Sequence, residues 1–93
     1  MSKLELVKKD LLGQEMNFYE LDNKMVELGY ISESNSGVWN NCLQDGNIVY
    51  SETTDKLGNT KPTIQIFFEV VIEAGKEEVS EATMIKITNI EKF

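Results

Sequence analysis

The sequence predicts an α+β fold in which two N-terminal helices, with a third short helix as an option, pack on a three-stranded antiparallel β-meander. Three observations carry this expectation. Apolar residues recur at helical spacing over residues 1–30, and a strict two-residue alternation runs through 63–73. Three β-rich runs then follow one another with connections shorter than the roughly twelve residues that a parallel crossover needs.

The first helix is expected over 2–12, where Leu4, Val7 and Leu11 recur at helical spacing. Lys8 and Lys9 lie near its C-terminal end, where the helix dipole favours cations, and Gly13 follows. The second helix has a stronger start. Asn17 can cap, Glu20 stands three residues on as in a capping box, and Met16 and Leu21 occupy the two staple positions. Phe18, Leu21, Met25 and Leu28 form its apolar stripe, and Glu20, Asp22, Lys24 and Glu27 fall mostly outside it. Gly29 supplies the left-handed residue of a C-cap, with Tyr30 placed to pack back near Met25 as in a Schellman motif.

A polar connection over 31–37 leads to 38–44, which has two readings. As a helix the segment puts Trp39, Cys42 and Leu43 on one face, with Gly46 as terminator. As a strand it would turn at Asp45-Gly46 and pair Asn41 with Tyr50 and Trp39 with Glu52, which is a poor alternation. The short helix is the preferred reading.

The first strand is expected over 47–53, through Ile48, Val49 and Tyr50, followed by a turn or loop over 55–61. Pro62 can only open the next strand, because it has no N–H for a ladder. Over 63–73, Ile64, Ile66, Phe68, Val70 and Ile72 face one way and Gln65, Phe67, Glu69, Val71 and Glu73 the other. A turn over 74–77 leads to a third strand over 79–90, with Ile85 and Ile87 on the core side and Lys86 and Thr88 opposite.

Ninety-three residues leave room for one domain, 1–93, and 41% apolar with 27% charged residues is the composition of a chain that folds. A core of this size is thin, which makes a homodimer an alternative to the monomer. No apolar run is long enough for a membrane span, and the charged Met1-Ser2-Lys3-Leu4-Glu5 start does not read as a signal peptide. The lone Cys42 cannot form an internal disulfide. These features together point to the cytoplasm.

The net charge of −7 is spread along the chain: six carboxylates against four lysines over 1–30, four against one over 31–60, and six against four over 61–93. All nine basic residues are lysine. Direct nucleic-acid binding is not expected, because phosphate neutralisation needs clustered cations and base readout leans on arginine. The want of Arg and His beside many Lys, Asn and Ile residues suggests an AT-rich coding sequence, such as that of a low-GC bacterium or its phages.

Histidine is absent, which removes the commonest general base and the usual nitrogen ligands of zinc, copper and iron. Phosphate-cradling loops and nucleophile elbows have no signature here either. Asp45-Gly46-Asn47 and 55–59 lack the alternating oxygen ligands and terminal bidentate glutamate of a calcium loop. Cys42 has no neighbouring cation to activate it as a nucleophile. The expectation is therefore no cofactor, no metal and no enzyme activity.

What is left is recognition. Candidate contacts are the acidic series Glu69, Glu73, Glu77, Glu78 and Glu81, whose plain alternative is a solvated face, and the loop carboxylates Glu33, Asp45, Glu52 and Asp55. Trp39, a core anchor or an interface hot spot, and Tyr50 are the candidate apolar anchors. Phe67 and Val71, on the second face of the central strand, either lie under a loop or form a dimer or partner patch. In size and charge alone the chain is similar to the small acidic proteins of phages and mobile elements that block host machinery, and to bacterial immunity proteins. That likeness implies an inhibitor of a basic, nucleic-acid-handling protein and carries over no residue. The alternative is a structural or assembly protein that self-associates through the second sheet face.

Overall fold

The computed structural model describes residues 2–33, 36–54, 56–71 and 83–93, beginning with helix α1, Lys3–Leu11. Ser2 caps it in extended conformation, its hydroxyl accepting the Glu5 N–H at 3.2 Å. Val7 and Leu11 are buried and Leu4 is partly so, which is the expected stripe. Gly13, at φ +81°, then turns the chain, and its N–H donates to the Ile87 carbonyl at 2.9 Å.

That contact opens a short strand the sequence did not signal, β1, Glu15–Met16. Two residues are too few to show periodicity. Met16 is also the staple residue of helix α2, Phe18–Glu27, and is buried together with Leu21. Asn17 Oδ1 accepts the Glu20 N–H at 3.0 Å. At the other end Tyr30 N–H donates to Met25 O at 2.9 Å and Gly29 N–H to Val26 O at 3.0 Å, the paired bonds of a Schellman motif. Gly29 takes φ +94°, a conformation that only glycine adopts at little cost. Asp22 corrects the expected stripe: it is buried, because it stands four residues after Phe18 and three before Met25, the spacing of the inner face.

Residues 38–44 are helical, within α3, Ser36–Asp45. Trp39 and Leu43 are buried, Cys42 is half-buried, and Gly46 at φ +78° ends the helix with its N–H on Cys42 O. The chain passes directly into β2, Asn47–Thr54, then β3, Thr60–Val70, and β4, Ile85–Lys92.

The sheet is antiparallel throughout, in the order β1-β4-β3-β2. The meander β2-β3-β4 is therefore as expected, and β1 adds a fourth strand at its β4 edge. Pro62 lies within β3 and does not open it. It is accommodated because its partner Ser51 lies between two register shifts of the β2–β3 ladder, where the regular hydrogen bonding is interrupted. Val71 follows the end of β3, and Ile72 and Glu73 lie outside the described residues. The last strand starts at Ile85, with 79–82 outside the described residues, and runs on to Lys92. Its buried residues are Ile85, Ile87 and Ile90. The three-residue step from Ile87 to Ile90 follows from a register shift opposite Phe67 and Phe68, where β4 carries one extra residue.

Helix and sheet side chains form one core, with Ile48, Tyr50, Ile64, Ile66 and Phe68 facing Val7, Leu11, Phe18, Leu21, Met25, Trp39 and Leu43. None of the described helices is long and apolar enough to cross a membrane.

Candidate functional site

With Ile64, Ile66 and Phe68 of β3 buried, the alternating residues fall on the opposite face, and the register assembles them into rows across strands. Val49, Gln65 and Glu91 form one row; Asn47, Phe67 and Asn89 form the next; Glu69, Lys86 and Glu15 form the third. Phe67 is thus the central apolar residue, flanked by two asparagines, with carboxylates towards both ends. Val49, Gln65 and Phe67 are half-buried, while Glu15, Glu69, Lys86, Asn89 and Glu91 are exposed. Gln65 Nε2 donates to Asn47 Oδ1 at 3.1 Å across β3 and β2, and Asn89 Nδ2 to Glu91 Oε1 at 3.1 Å along β4. Lys86 stands directly opposite both Glu15 and Glu69.

Of the expected contacts, Phe67 and Glu69 come together here, and Val71 lies half-buried just past the strand. The others do not join them. Trp39 is a core residue, only 4% exposed, stacked on Phe18 at 5.7 Å and met edge-on by Tyr19 at 5.2 Å. Tyr50 is fully buried, which removes it as a surface anchor; its position in β2 alternates with Val49, and the phase that exposes one hides the other. Glu52 is engaged inside the fold, accepting from Lys3 Nζ at 3.3 Å and from Thr63 Oγ1 at 3.2 Å. Asp45 is exposed at the end of α3. Asp55, Glu73, Glu77, Glu78 and Glu81 lie outside the described residues.

A second polar group, which the sequence reading missed, centres on Asp22. Its carboxylate accepts from Ser32 Oγ at 2.6 Å, Glu33 N–H at 2.8 Å and the Tyr50 hydroxyl at 3.1 Å. Burial, the Asp22 charge and its hydrogen bond push the Tyr50 phenol far above its ordinary range, so Tyr50 stays a neutral donor. Burial and then Asp22 raise Glu33, and burial, Asp45 and Glu33 raise Cys42. A thiol held protonated in acidic company is a poor nucleophile. This group joins α2, the 30–33 connection and β2 through three donors to one carboxylate. Its one sequence signal was the inner-face spacing of Asp22.

Among the described residues, no three His, Cys, Asp or Glu side chains are arranged to hold a metal ion. No protein-family model, curated protein or solved structure matches the chain significantly.

Proposed function

We propose that this chain is a non-catalytic binding module of the cytoplasm that engages a basic protein through the open face of its sheet. The single observation behind this reading is the row Asn47-Phe67-Asn89, which sets a half-buried aromatic ring between amides, in a set of three rows whose exposed charges are three glutamates and one lysine. An aromatic centre ringed by polar groups is the usual anatomy of an interface hot spot. The surplus of carboxylates, on a chain of net charge −7, speeds and selects the encounter with a cationic surface. A nuclease or another nucleic-acid-handling enzyme presents such a surface, and carboxylates there stand in the place of phosphates, as in a phage- or mobile-element-type inhibitor.

The test is a tagged pull-down from lysate of the source organism, washed across a salt series, with Phe67→Ala and Glu69→Lys variants run in parallel. A stoichiometric basic protein, released by salt and lost with either variant, is the expected result. A partner still held by both variants, or one indifferent to about 0.5 M salt, rules this reading out. Recovery of the bait alone as a stable multimer favours self-association through the same face.

A further inference from the structure

The side-chain amides of the open face have their directions fixed by groups that can only accept. Asn47 Nδ2 donates to the Asp45 carbonyl oxygen at 3.3 Å, which turns Asn47 Oδ1 to Gln65, where it takes the Nε2 donor at 3.1 Å. Asn89 Nδ2 donates to a carboxylate oxygen of Glu91 at 3.1 Å, and an ionised carboxylate likewise only accepts. One donor of each amide is thus spent within the chain. The carbonyl oxygens Gln65 Oε1 and Asn89 Oδ1, by contrast, accept from no described residue.

These two oxygens belong to the residues on either side of Phe67. Gln65 precedes it by two positions on the same face of β3, and Asn89 stands directly opposite it on β4. Glu91, paired with Gln65, and Glu69, two positions after Phe67, add negative charge towards both ends of the ring. Lys86 stands in the row beyond, opposite both Glu15 and Glu69, where its charge is met twice over. Around the half-buried ring the chain therefore presents acceptors and negative charge.

A group that suits such a surface is flat, cationic and donor-only. The guanidinium of arginine is planar, carries five N–H donors and no acceptor, and stacks on aromatic faces; the ammonium of lysine is a compact point charge without a plane. We infer that Phe67 is the seat of an arginine side chain of the partner, stacked on the ring with its N–H groups on Gln65 Oε1, Asn89 Oδ1 and the flanking carboxylates. This rests on the open-face reading and narrows its partner from a basic protein to one that presents an arginine. The 93 residues hold no arginine, so a second copy of this chain does not fill the seat.

The experiment is an NMR titration of the full chain with two peptides of equal charge, one of alternating glycine and arginine and one of alternating glycine and lysine, at about 20 mM salt, where exposed charges are little screened. The arginine peptide is expected to shift the Gln65, Phe67 and Asn89 signals, and its own side-chain methylene protons should move upfield in the ring current of Phe67. Its affinity should exceed that of the lysine peptide by about two- to fivefold, the usual worth of an exposed cation–π contact. Phe67→Leu, which keeps an apolar side chain and removes the π face, should abolish both the upfield shifts and the preference. Equal affinities of the two peptides, with the same signals shifted, overturn the arginine seat and leave the open face standing as a charge-driven surface. An arginine preference that survives in Phe67→Leu also overturns the seat. Shifts centred on another element, or none from either peptide, overturn the seat together with the charge complementarity behind the open-face reading.

Discussion

The Tyr50 hydroxyl donates to Asp22 Oδ1 across 3.1 Å, joining the middle of β2 to the inner face of α2. Both residues are buried, and the bond is between a neutral phenol and a carboxylate that also serves the 30–33 connection. Tyr50→Phe keeps the ring and its edge contact with Tyr30 and removes only the donor. A loss of about 1.5–3 kcal/mol is expected, the usual worth of a hydrogen bond to a charged group. Urea unfolding checks it: the midpoint should fall with the slope unchanged, and an unaltered midpoint would show that Asp22 finds another donor.

Cys42 offers a second reading of the same neighbourhood. Its thiol is raised by burial first and then by Asp45 and Glu33, so less thiolate is present at any pH near neutrality than in the unfolded chain. Alkylation at about pH 8 should therefore be slower in the native protein than in a urea-denatured control. Asp45→Asn should speed it modestly by removing one of the two negative neighbours. Equal native and denatured rates would contradict the described burial.

The uneven legibility of this chain has physical reasons. The Asn17 cap, the Gly29-Tyr30 terminus and the 63–70 alternation were readable because each is a local rule satisfied by neighbouring residues. The Trp39 segment was ambiguous because a short apolar run suits either period until Gly46 at φ +78° settles how it ends. The two-residue β1 and the β4 register shift depend on residues far away in sequence, Ile87 and Phe68, and leave no local mark. Among the candidate contacts, Phe67 and Glu69 were legible through alternation. Tyr50 was not, because its burial is set by the phase of β2 against β3, and Asp22 was misplaced because polarity outweighed spacing in the reading of its helix.

Gly29 and Gly58 separate backbone strain from side-chain crowding. Both have strongly positive φ, +94° and +82°, but a Cβ on Gly29 would stand 2.9 Å from Lys3 Nζ, whereas one on Gly58 meets nothing within 4 Å. Alanine at either site is expected to cost about 1–2 kcal/mol of strain. At Gly29 the flexible end of Lys3 must also move, disturbing its 3.3 Å bridge to Glu52, which adds no more than about 1 kcal/mol because the pair is more than a third exposed. Thermal unfolding of Gly29→Ala, Gly58→Ala and Gly29→Ala with Glu52→Gln checks the division. Measured against Glu52→Gln alone, the part of the extra cost at Gly29 that runs through the bridge should vanish, leaving that of the Lys3 contacts with Gly29 O and the Tyr30 ring.

Ile66 and Phe67 are adjacent in β3 and face opposite ways, which makes them a matched test of structure against recognition. Ile66 is fully buried among the helices, and Ile66→Ala should cost about 2–5 kcal/mol through lost burial and the cavity left behind. Phe67 is half-buried on the open face, so Phe67→Ala loses part of one ring's contact and should cost well under half as much. Binding should show the reverse order. At a temperature where both variants stay folded, Ile66→Ala retains partner affinity, while Phe67→Ala loses it by about tenfold or more if the ring is the anchor of the interface. Partner titrations of the two variants, read beside their melting curves, distinguish the possibilities. Affinity that tracks stability in both would mean that the fold alone is being read and that the partner touches some other surface. Affinity lost only at Phe67 would place the contact on the Asn47-Phe67-Asn89 row, since no core residue is altered by that change.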